Sequence, residues 1–84
     1  MYYDIAEVKP GADFTLTVRF TDGLSGRVQF LPSFFRGVFA HLKDATQFAD
    51  VHLVDGVVTW PGELDLAPDA MHSAIKTHGE WVLD

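Results

Sequence analysis

The chain has 84 residues, 48% of them apolar, with six Lys and Arg against twelve Asp and Glu and no cysteine. That length holds one small domain, which buries only about 60 to 65% of its unfolded surface; disulfide and thiolate-metal staples are excluded, so packing or a partner must hold it. A formal charge of −6 repels nucleic-acid phosphates and anionic lipid, and favours a basic protein as partner.

Residues 1–7 have neither the basic start nor the apolar run of a signal peptide, so the protein is expected to stay in the cytoplasm. The most apolar stretch, residues 28–42, is broken by Pro32, Arg36 and Gly37 and falls short of the roughly 20 residues a bilayer demands. Residues 2–8 predict a strand, with Ile5 and Val8 on opposite faces implying a bulge or cover on both sides. Phe14, Leu16, Val18 and Phe20 then alternate with Thr15, Thr17, Arg19 and Thr21, the period of a strand with one buried face. Asp22-Gly23 tolerates the positive φ of a tight turn, and Leu24, Val28 and Phe30 resume on one face, so residues 13–30 predict a β-hairpin.

Residues 31–47 show no alternation; with Pro32 and Gly37 as punctuation they predict one or two short helical turns. Asp44 is placed to cap Ala45 to Phe48, with Gln47 three residues on in a capping-box pattern. A second Asp55-Gly56 hairpin is expected between residues 51–54 and 57–60, both rich in β-branched side chains. Pro61-Gly62 forces a turn, Pro68 suits the first position of a helix over 68–76 with Met71, Ala74 and Ile75 inward, and Gly79 ends it. Trp81-Val82-Leu83 is apolar enough to dock as a short strand or packed tail. The fold class expected is α+β: an antiparallel sheet of two Asp-Gly hairpins plus an N-terminal strand, short helical turns between the hairpins, and a short C-terminal helix. Trp60 is expected to cap the core against Met71 or Ile75.

Candidate chemistry is sparse. His72 and His78 are six apart, about 240° around a helix, so the four histidines do not form a metal site and read as exposed or partly packed. Glu63, Asp65 and Asp69 lie close in sequence, but Pro68 breaks the register and the alternating acids of a calcium loop are missing. No nucleophile motif or phosphate loop is present, so no catalytic residue, metal or cofactor is expected. Eleven aromatics serve the core, except that adjacent Phe34 and Phe35 beside Arg36 cannot easily both face inward, which leaves one as an interface anchor.

Four stretches, Leu16-Thr-Val-Arg-Phe20 into Asp22-Gly23; Gly37-Val-Phe39 with Leu42-Lys-Asp44 and Phe48; Val57-Val-Thr-Trp60-Pro61; and Leu64-Asp65-Leu66-Ala67-Pro68-Asp69, together resemble a small bacterial and archaeal family, domain of unknown function twenty-four forty-two. Gly62-Glu63 stands where many members have Asn-Gly. The resemblance implies an antiparallel sheet with short helices and an antitoxin-like role, since members are often encoded beside a second small protein. Other members carry a helix-turn-helix domain after this one, and the reach of the chain to Asp84 leaves none expected. The resulting expectation is a non-enzymatic interaction module that binds a small basic protein through Phe34, Phe35, Asp50, Asp55, Glu63, Asp65 and Asp69. A sensory, small-molecule-binding regulatory domain is the alternative, and a homodimer stays open.

Overall fold

Two sheets, rather than one, organise residues 3–84, the residues that this computed structural model describes. In chain order the elements are β1 (Ile5–Pro10), β2 (Thr15–Phe20), β3 (Ser25–Phe30), 3-10 segments at Pro32–Phe34 and Gly37–Lys43, α1 (Ala45–Phe48), β4 (His52–Val54), β5 (Val57–Trp60), β6 (Leu64–Asp65), α2 (Pro68–His78) and β7 (Glu80–Leu83). The class is α+β. The larger sheet has the order β1-β2-β3-β7 and the smaller β4-β5-β6.

The expected single antiparallel sheet is corrected in two respects. β4 and β5 pair with each other and with β6 in their own sheet, and β7 joins the larger sheet parallel to β3, which makes that sheet mixed. The long crossover from β3 through α2 brings the chain back in the direction of β3, and a returning strand of that kind runs parallel. Of the expected N-terminal strand, residues 1 and 2 lie outside the described residues; β1 begins at Ile5, and its register against β2 shifts between Ile5 and Glu7, the signature of a bulge.

The alternation in β2 and β3 sorts side chains as the pattern requires: Leu16, Val18, Phe20, Val28 and Phe30 are buried, while Thr17, Arg19, Ser25 and Arg27 face out. Across the β2–β3 turn the Phe20 N–H donates to the Leu24 carbonyl at 2.7 Å. Phe14 does not belong to the strand. It follows Asp13 in a left-handed turn, with φ of 56° after 55°, a conformation that costs a bulky residue about 1 to 3 kcal/mol. Its ring packs on Phe35 and Phe48, with centroids 5.1 and 5.2 Å away, and that burial holds the strained turn in place.

The two sheets share one core. Trp60 from β5 is fully buried, its ring meets Phe30 of the larger sheet edge-on at 5.9 Å, and its Nε1–H donates to the Phe48 carbonyl at 2.9 Å. The expected core placement of the indole holds, with Phe30 and Phe48 as its aromatic neighbours. Phe35, just after the first 3-10 segment, and Leu42 of the second close the end of the core, and α1 adds Phe48. Asp44 caps α1, accepting from the Thr46 and Gln47 N–H groups at 2.8 and 3.4 Å. Helix α2 lies against β3, and two contacts define how closely. Met71 and Ile75 are buried, and a Cβ on Gly26 would stand 2.5 Å from Ile75 Cγ2, so only a residue without a side chain fits beneath the helix.

Candidate functional site

Charge is distributed unevenly along this fold. The outer face of the larger sheet bears Lys9, Arg19 and Arg27, each beside a carboxylate: Lys9 and Arg19 at 3.7 and 3.6 Å from Glu7, Arg27 at 3.2 Å from Glu80. The segment from Asp44 to Ile75 contains Asp44, Asp50, Asp55, Glu63, Asp65 and Asp69 and no Lys or Arg. Its six acids equal the whole net charge of −6, since the remaining six acids balance the six bases. Among the described residues, no ion pair includes an acid of this segment.

The smaller sheet and its flanks display these acids. Asp50 follows α1 and is exposed; its carbonyl lies 3.1 Å from His52 Nδ1. Asp55 occupies the β4–β5 turn at φ 51° and Glu63 the β5–β6 turn at φ 65°, both exposed, which orients the two turn tips outward. Asp65 on β6 stands opposite Thr59 on β5, and Thr59 stands opposite His52 on β4. These three side chains therefore form one row across the outer face, since alternate β5 residues Val58 and Trp60 point into the core. Val54 pairs with Val57 on that same face and is 47% exposed. Asp69 is exposed in the first turn of α2.

The two phenylalanines part company. Phe35 is 4% exposed and packs against Phe30 and Phe14, so it is a core residue and is withdrawn as a surface anchor. Phe34 is half-buried, edge-on to Phe30 at 5.3 Å and 4.8 Å from Phe39, whose sequence neighbour Val38 is 68% exposed. This apolar ledge is separate in sequence from the acidic segment and lies between Arg36 and Lys43 in part.

One buried polar group escaped the sequence reading. His72 is 6% exposed; its Nε2 lies 2.8 Å from Asp22 Oδ2, its ring stacks on Tyr3 at 3.8 Å, and Phe20 meets it edge-on at 4.8 Å. The carboxyl of Asp22 is held below its ordinary value, first by the Leu24 N–H donating to Oδ1 at 3.0 Å and then by His72. This pair ties the β2–β3 turn to α2, fifty residues away. A signal was available: position 72 lies one and three residues from Met71 and Ile75, inside the inward stripe of the helix. The identity of its partner had no local signal.

A shallow cavity of about 470 Å³ lies on the outer side of the larger sheet, between Thr17, Arg27, Glu80 and the Gly79 turn. Among the described residues, no group of three His, Cys, Asp or Glu side chains could hold a metal ion, and no helix is long and apolar enough to cross a membrane.

Residues 5–77 match the family described as "Protein of unknown function (DUF2442)", and the chain belongs to that family. Neither a curated protein nor a solved structure matches it.

Proposed function

We propose that this member of the DUF2442 family is a non-enzymatic interaction module of the cytoplasm, antitoxin-like, that masks a small basic protein through the outer face of its smaller sheet. The observation that supports this reading is the segregation of charge: residues 44–75 hold six acids and no Lys or Arg. A basic partner would meet a segment that itself contributes no Lys or Arg to compete for its acids. Val54 and Val57 supply apolar area between the acids, and Asp50, Asp55, Glu63 and Asp65 form its rim. Acids at a rim act chiefly on the association rate, by steering the encounter over a Debye length of about 8 Å at physiological ionic strength.

The test is co-purification of the tagged chain from its native host at low salt, followed by binding kinetics with the purified partner. A basic protein whose association slows steeply with salt, and is lost when Asp55 and Asp65 are changed to Lys, is the expected result. The same change at Glu7, on the larger sheet, should leave binding intact. A partner that is neutral or acidic, or one indifferent to Asp55→Lys with Asp65→Lys, overturns the reading.

A further inference from the structure

The strand β7 differs from every other strand of the larger sheet. It sits at the sheet edge and pairs with β3 alone, in the parallel arrangement that is slightly the weaker per residue. Not one of its four side chains is fully buried: Glu80, Trp81 and Leu83 are half-buried, and Val82 is 47% exposed. Its connection to α2 is a single residue, Gly79, at φ 81°. Four parallel residue pairs, from Arg27–Glu80 to Phe30–Leu83, seat it on β3, with the Arg27–Glu80 ion pair at 3.2 Å at one end, the Leu31 N–H donating to the Leu83 carbonyl at 2.9 Å at the other, and Trp81 and Leu83 packed against the rim of the core.

We propose that β7 is an exchangeable strand, and that two copies of this chain associate by swapping it, each β7 pairing with β3 of the other copy. Every β3–β7 contact is then preserved between copies, so the exchange costs only the association entropy and the opening of one hinge in each copy. A glycine hinge opens freely, because it reaches the extended region as readily as the left-handed one it occupies in the closed chain. An edge strand with no fully buried side chain belongs nearer the low-stability end of a fold than the central strands do. A second copy is the occupant these features select, since it brings a strand already matched to β3 in register and charge. The inference is independent of the acidic face, which lies on the other sheet.

Two variants test it, with mass measured by light scattering during size-exclusion chromatography over a range of concentrations. At Gly79 a Cβ would meet no atom within 4 Å, so Gly79→Val strains only the left-handed hinge and not the packing. That strain is released when the hinge extends in the swapped form, and the dimer fraction should rise by about ten-fold or more over the unmodified chain. The second test mixes Arg27→Glu with Glu80→Arg. Alone, each variant sets like charges against each other at the start of β7; in a swapped heterodimer both sites pair opposite charges again. The mixture should form about ten-fold more dimer than either variant alone, from two restored surface pairs at about three-fold each. A chain with both substitutions restores the pair internally and should behave as the unmodified chain does. A folded Gly79→Val chain that remains monomeric overturns the proposal; if that variant fails to fold, the mixture decides. A mixture that stays monomeric, or dimers that form equally whatever the charges at positions 27 and 80, overturn it as well.

Discussion

On the outer face of the larger sheet, Lys9, Arg19 and Arg27 stand within 3.7 Å of Glu7 or Glu80, whereas on the outer face of the smaller sheet His52, Thr59 and Asp65 form a row in which, among the described residues, Asp65 makes no ion pair. Both sheets nevertheless turn their apolar faces to one core, joined where Trp60 meets Phe30. Stability and charge are thus divided differently in the molecule: the core is common property, while the excess charge belongs to the segment of residues 44–75 that carries the smaller sheet. Perturbations of the shared core should disturb both sheets, and perturbations of either outer face should stay local.

The largest effect is expected where the sheets meet. Trp60→Ala removes a fully buried indole and leaves the Phe48 carbonyl without its donor, and should cost about 3 to 5 kcal/mol in denaturant unfolding. A loss under about 1 kcal/mol would mean that the two sheets do not share a core. Next is the seam between β3 and α2, on the larger sheet alone. Gly26→Ala places a methyl 2.5 Å from Ile75 Cγ2 and should cost about 1 to 3 kcal/mol by overpacking. Pairing it with Ile75→Val should recover part of that loss, a non-additivity that a double-mutant cycle reads directly.

A smaller effect, dependent on pH, is expected at the His72–Asp22 pair. Because the carboxyl of Asp22 titrates below its ordinary 3.8 when folded, its contribution is present above that value and is lost as the pH falls through the lowered one. Asp22→Asn should therefore flatten the acid limb of the stability curve, measured as urea midpoints from about pH 6 to about pH 2. An unchanged acid limb would show that neither the Leu24 N–H nor His72 holds the Asp22 carboxyl down in the folded chain. The smallest effect distinguishes the two outer faces. Asp55→Asn and Asp65→Asn break no ion pair, and Asn tolerates the positive φ at position 55, so each should leave stability within about 0.5 kcal/mol. A clear loss from either would make these acids structural and remove them from the proposed interface.

Residues 15–20 and 25–30 are legible as strands because burial on one face imposes a period of two that each segment displays by itself, and residues 57–60 because β-branched side chains follow the Asp55-Gly56 turn. The Asp44 cap was equally legible, since the side chain bonds N–H groups only two and three residues away. Helix α2 runs two residues past its expected end, to His78, with Gly79 left-handed just beyond. At the candidate site, the acids are visible one by one, while of Phe34 and Phe35 only the latter is fully buried and the former packs half-buried against the core. Which of the two is fully buried is decided by Phe14 and Phe48, from other parts of the chain, which pack on Phe35.

What the sequence determined by itself is local: where strands, caps and turns form, and that acid outweighs base by six charges. What the tertiary structure decided is every pairing across distance. The division into two sheets, the parallel seat of β7, the burial of His72 against Asp22 and the display of the acids around the smaller sheet all depend on segments tens of residues apart. Periodicity reports which face of an element is buried and is silent about what buries it. Those partners are selected by how the common core around Trp60, Phe30 and Phe48 closes, a property of the assembled chain and of no segment alone.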